Sequence, residues 1–101
     1  MKKTKNGKEI IKILRQNYKV ISNTYGVVSI AVFGSYAKNK QKKRSDIDIF
    51  VELKEKYKTF DNFMELKFFL EKIVGRKIDL LIKESIREEL KSRIFKEAVY
   101  V

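Results

Sequence analysis

Apolar residues along this chain follow two different rhythms. Ile10, Ile11, Leu14, Tyr18, Ile21 and Tyr25 recur at steps of three and four, which puts them on one side of a helix. Asn6, three residues ahead of Glu9, offers a capping box at the start, and Gly26 a left-handed stop at the end. Val27–Phe33 then runs almost without a polar side chain, the pattern of a strand covered on both faces. Gly34-Ser35 ends that run where the backbone must turn, and Ser35 is placed to cap a short helical turn from Tyr36. Residues 46–53 alternate instead: Ile47, Ile49 and Val51 share one face, Asp46, Asp48 and Phe50 the other.

The second half repeats the scheme. Thr59 or Asp61 can cap a helix whose stripe is Phe60, Phe63, Leu66, Leu70, Ile73 and Val74, with Gly75 as its stop. Residues 77–82 read as a third strand, with Ile78, Leu80 and Ile82 on one side and Asp79 alone among mostly apolar neighbours. Ser85 and Glu88 form a capping box for a last helix with Ile86, Leu90, Ile94 and Ala98 inward. Residues 99–101 suit a short terminal strand or a docking tail. The expected order is α-β-β-α-β-α, an α/β (α+β) domain with a small mixed sheet and flanking helices. At this length, residues 1–101 are expected to form a single domain.

Composition narrows the chemistry. The chain has no cysteine, so disulfides and thiolate zinc sites are excluded. It has no histidine either, which removes Ser-His and Cys-His triads, histidine bases and histidine metal sites together. Any catalysis must rest on carboxylates, hydroxyls, lysines or a metal held by oxygen. No apolar run approaches the roughly 20 residues of a membrane span, and the N-terminus lacks the apolar core of a signal peptide, so a cytoplasmic protein is expected.

The net charge of +11 is unevenly spread. Before residue 46, twelve lysines and arginines stand against the single Glu9; from there on the two signs balance. That asymmetry suits a polyanionic partner such as a nucleoside triphosphate, RNA or an acidic protein face, and it also suits a merely solvated basic surface.

Three carboxylates begin or interrupt apolar strands: Asp46, Asp48 and Asp79. Two positions apart on a strand, Asp46 and Asp48 share a face with Cα atoms about 6.5–7 Å apart. They repel unless a cation lies between them, and Mg²⁺ prefers oxygen ligands of this kind. Each aspartate alone has a plainer reading: Asp46 paired with Arg44, Asp79 with Lys77, Asp48 facing water. Set beside Gly34-Ser35, they read together as a phosphate loop opposite a metal-binding strand.

Gly34-Ser35, ten intervening residues, Asp46-x-Asp48 and a later Asp79 resemble the DNA polymerase β-type nucleotidyltransferase superfamily, and the short chain resembles its minimal nucleotidyltransferase (MNT) branch. The resemblance implies that fold, with Asp46, Asp48 and Asp79 as catalytic residues holding two Mg²⁺ ions. It implies that Gly34, Ser35, Lys38 and Arg44 bind the phosphates of ATP. Where the family often continues Gly-Ser with Arg-Ala-Arg-Gly, this chain has Tyr36-Ala37-Lys38-Asn39. Lysine replaces arginine as a point charge, and asparagine can take a left-handed position.

Stand-alone MNT proteins resemble the antitoxin half of a toxin–antitoxin pair, in which AMP moves from ATP to a tyrosine of a HEPN-type ribonuclease toxin. The resemblance thus implies a protein adenylyltransferase antitoxin with a HEPN partner. Two other readings stand beside it: a non-catalytic antitoxin that masks its toxin sterically, and nucleotidyl transfer to a small molecule or RNA. Nucleic acid is the less favoured partner, because no aromatic-interleaved basic platform is present.

Overall fold

The N-terminal apolar stripe does not form one helix, because Asn17 interrupts it. In a computed structural model that describes residues 6–42 and 45–101, α1 spans Gly7–Gln16 and α2 spans Tyr18–Tyr25. Asn17 between them leaves helical geometry at φ −105° and ψ 9°, and its Nδ2 donates to the Ile13 carbonyl at 2.8 Å. A short amide side chain competing for main-chain partners is a common cause of such a break. The apolar stripe still reaches one core, since Ile10, Leu14 and Ile21 are all fully buried.

The rest follows as β1 (Val27–Phe33), α3 (Gly34–Ala37), β2 (Ile47–Leu53), α4 (Phe60–Val74), β3 (Ile78–Ile82), α5 (Glu88–Glu97) and β4 (Val99–Tyr100). The expected stops at Gly26 and Gly75 are left-handed, at φ 67° and 73°. Thr59 is the cap of α4, its side chain accepting from the Asn62 N–H at 3.1 Å. The capping box at Ser85 is not formed. The Ser85 hydroxyl donates to the Ile82 carbonyl at 2.8 Å within a short 3-10 turn, and α5 starts three residues later without a side-chain cap.

The four strands lie in the order β3-β2-β1-β4, a mixed sheet. β1 runs antiparallel to both β2 and β4, while β2 and β3 are parallel and joined through α4. The C-terminal residues therefore form a strand: Tyr100 pairs with Ala31, and the Val101 N–H donates to the Ile30 carbonyl at 3.0 Å.

Both faces of the sheet are covered, which is why β1 shows no simple alternation. One face carries Ile30, Val32, Ile47, Ile49, Val51, Ile78 and Leu80, packed with Leu14, Leu66 and Leu70 from the helices. On the other face Ala31 and Phe50 meet Ile86 and Ile94. Phe50 is fully buried there, with the rings of Phe33, Phe95 and Tyr100 centred 5.5–5.7 Å away. This smaller core, shared with α5, is the face on which Asp48 also stands. Among the described residues no helix is long and apolar enough to cross a membrane.

Candidate active site

Strand register decides which acidic groups meet. Asp48 of β2 pairs with Asp79 of β3 on one side and with Phe33, the last residue of β1, on the other. Register partners on neighbouring strands point to the same face, with backbones about 4.8 Å apart. Asp46 lies just ahead of β2, two positions before Asp48 and so on the same side. All three expected aspartates thus gather at one end of the sheet, next to the turn that follows β1.

Their electrostatics reflect that crowding. Burial pushes the Asp48 carboxyl up to about 6, and the charges of Asp79 and Asp46 add to the rise. Among the described residues none of the three forms an ion pair with a lysine or arginine, Lys77 included. The plainer pairing of Asp79 with Lys77 is therefore not formed, and Arg44, the other candidate counter-ion, lies outside the described residues. Neither do three acidic side chains close around one point as a finished metal cage among the described residues. Asp46 and Asp79 are open to solvent while Asp48 is half-buried.

Gly34 belongs to this centre for a steric reason. It opens α3 at φ 70°, and a Cβ built on it would collide with Asp48 Oδ2. No side chain except hydrogen fits between the turn and that carboxylate. Ser35 sits inside α3 rather than capping it; the cap position is Phe33, with no side-chain bond. Asn39 does adopt the left-handed conformation, at φ 57°. Lys38 is engaged elsewhere, its Nζ lying 3.0 Å from Glu97 Oε1 of α5.

Two further residues shape the site: Tyr36, noted from the sequence only as a departure from the family's motif, and Arg76, not singled out there. The Tyr36 hydroxyl donates to the Ser45 carbonyl at 3.4 Å, and Arg76 Nη2 donates to the same oxygen at 3.1 Å. The Ile47 N–H donates to the Lys77 carbonyl at 3.0 Å, tying the β2 entrance to β3. Ser45 immediately precedes Asp46, so these bonds set where the acidic pair begins. Tyr36 is 1% exposed. Its place in the Gly-Ser segment is thus structural: the ring fills the core and the hydroxyl holds the far end of the loop. The one sequence signal was an aromatic side chain where the family often has arginine.

The nucleotidyltransferase domain family matches residues 8–101. A protein of Methanocaldococcus jannaschii, provisionally named a protein adenylyltransferase, is 46% identical over 95 residues, covering 92% of this chain and 95% of the relative. The protein adenylyltransferase MntA of Thermococcus cleftensis is 37% identical over 93 residues, covering 92% of this chain and 93% of MntA. Among solved structures, a minimal nucleotidyltransferase superposes with a TM-score of 0.80 at 24% identity, covering 97% of this chain and 98% of the other, a likeness of fold. A toxin–antitoxin structure with AMP-PNP superposes at 0.66 with 27% identity, over 95% of this chain and 72% of the matched one. A complex of a tri-AMPylated Shewanella oneidensis HEPN toxin with an MNT antitoxin gives 0.56 at 25% identity, over 94% and 67%. The family match takes in every residue of the geometry just described, and the chain therefore belongs to the nucleotidyltransferase domain family.

Proposed function

We propose that this chain is a protein adenylyltransferase antitoxin, acting in the cytoplasm as a single domain, which moves AMP from ATP to a tyrosine of a HEPN-type ribonuclease partner. The observation that carries the reading is the pairing of Asp48 with Asp79 beside Gly34, at the rim of the sheet. The names of the relatives and the AMPylated toxin beside an MNT antitoxin support the acceptor class.

The donor set suits Mg²⁺. It is all oxygen, it carries excess negative charge, and it is incomplete as a cage, which fits an ion that fills its remaining positions with water and substrate phosphates. Asp46, Asp48 and Asp79 would hold two such ions, which when bound neutralise charge on the triphosphate and on the entering oxygen. Gly34 lets the backbone approach phosphate, and Ser35 and Arg44 contribute donors around the β- and γ-phosphates, joined by Lys38 when its ammonium exchanges Glu97 for phosphate. Asp79, exposed on the neighbouring strand, accepts or steers the proton of the tyrosine hydroxyl. The tyrosine oxygen bonds to the α-phosphorus, the bond from that phosphorus to the bridging oxygen breaks in line, and pyrophosphate leaves with the electron pair.

The test uses Mg²⁺, ATP labelled at the α-phosphate, and a HEPN-type protein from the same source, sought first in the reading frame adjacent to this chain's own. Label should pass to a partner tyrosine with wild type and fall about a hundred- to a thousandfold with Asp46→Asn, the scale expected when charge stabilisation at the transition state is lost. An unlabelled partner that this chain nonetheless neutralises would refute transfer and leave steric masking in its place.

A further inference from the structure

A cavity of about 840 Å³ opens away from the aspartates, between α1 and α3, lined by Lys8, Ile11, Lys12, Arg15, Tyr36 and Val99 among others. Lys8, Lys12 and Arg15 follow one another at helical steps of four and three, so they form a row of cations about a turn apart along one bank. All three are exposed, and among the described residues none forms an ion pair. Among the described residues the Arg15 guanidinium donates to the Tyr100 carbonyl, at 3.5 Å. The floor is apolar, with Ile11 and Ala37 beside a Val99 that is 39% exposed. The opposite bank is α3 itself, which begins at Gly34 beside Asp48. Groove and acidic centre thus lie at two ends of one short turn.

That combination selects its occupant. A cationic row above an apolar floor complements a polypeptide with carboxylates on one face and aliphatic side chains on the other. A single-stranded nucleic acid would want exposed rings to stack on, but Tyr36, the groove's aromatic residue, is buried. A triphosphate would leave the apolar floor unused.

We propose that this groove docks an acidic, amphipathic segment of the protein that accepts AMP, and so holds the acceptor hydroxyl within reach of the centre at Gly34 and Asp48; the proposal rests on the protein-acceptor reading above. Docking here would make acceptor choice a matter of charge matching on α1, separable from nucleotide binding.

The experiment compares wild type with Lys8→Glu/Lys12→Glu/Arg15→Glu and with the milder Lys12→Gln, using as the probe the HEPN-type protein that takes the label in the test above. Expected for the triple variant are acceptor binding weakened at least tenfold, a raised KM for the acceptor with kcat within threefold, and an unchanged ATP affinity. Lys12→Gln should weaken acceptor binding two- to fivefold, and wild-type affinity should fall as salt rises. Acceptor affinity unaffected by charge reversal overturns the proposal while leaving the transfer reading intact. A parallel loss of ATP affinity overturns it by giving the groove to the nucleotide, and loss of a self-association of wild type gives it to a second copy. Asp48→Asn separates the two readings from the other side: it should bind the acceptor as wild type does yet label nothing.

Discussion

Asp48 and Asp79 are partners across two parallel strands, with 30 residues of chain between them, and among the described residues neither forms an ion pair with a lysine or arginine. Burial of the Asp48 carboxyl, with the neighbouring charges of Asp79 and Asp46, disfavours its ionised form, and that cost is what a bound divalent cation would relieve. Folding and the proposed chemistry are thus opposed at this one pair, and the opposition can be measured.

The Asp48 carboxyl holds its proton more tightly in the folded chain, at about 6 against an ordinary 3.8. A raised carboxyl favours folding while protonated, so its penalty is absent below pH 4 and fully present above about pH 7. Asp48→Asn should therefore raise the stability of the metal-free protein at pH 8, by about 1 kcal/mol once solvent screening of a half-exposed group is allowed for. The advantage should fade as pH falls through 6 towards 4, and Mg²⁺ with ATP should stabilise wild type but not the variant. Urea titrations at four pH values read both effects. A variant less stable than wild type at pH 8 would contradict the account.

Gly34→Ala places a methyl group against Asp48 Oδ2 at a residue held at φ 70°. The backbone conformation alone costs an alanine about 1–2 kcal/mol, and the collision adds to it. Expected are a melting point lower by several degrees and nucleotidyl transfer near background, read by thermal denaturation and by the label assay. Retained activity would show that the carboxylate has room to move.

Asn39 holds its left-handed turn at φ 57°. Asn39→Gly should leave stability within about 0.5 kcal/mol and Asn39→Ala should lower it by about 1 kcal/mol, since alanine lacks both the freedom of glycine and the local side-chain bonds of asparagine. Equal melting curves for the two variants would count against this reading.

Lys38 and Glu97 form an ion pair at 3.0 Å with both side chains partly exposed. Glu97→Gln should change stability by less than about 1 kcal/mol, as exposed pairs generally do. It should also free the Lys38 ammonium for phosphate and lower the KM for ATP, while Lys38→Ala raises it. Calorimetric titration with ATP distinguishes the cases; an ATP affinity insensitive to both changes would remove Lys38 from the phosphate site.

Local order was legible from residues alone wherever a short segment carries its own instruction. The stripe from Phe63 to Val74, the Thr59 cap and the strands before Gly34 and after Asp46 are all present, whereas Phe60, expected on that stripe, is 77% exposed at the first turn of α4. The absence of histidine and cysteine left carboxylates, hydroxyls, lysines or a metal held by oxygen for any chemistry, and the spacing of Gly34-Ser35 and Asp46-x-Asp48 marked the segment proposed to carry it. Other features depend on partners far along the chain, and no periodicity carries them. Asn17 splits the first helix, the box at Ser85 gives way to a tight turn, and the C-terminal residues add a strand beside β1. Tyr36 and Arg76 converge on one carbonyl, and Lys38 finds Glu97. Periodicity reports which side of an element is apolar, because that follows from backbone geometry repeated every few residues. Register between strands is instead set by how those sides pack together, and packing is what brings Asp79 opposite Asp48.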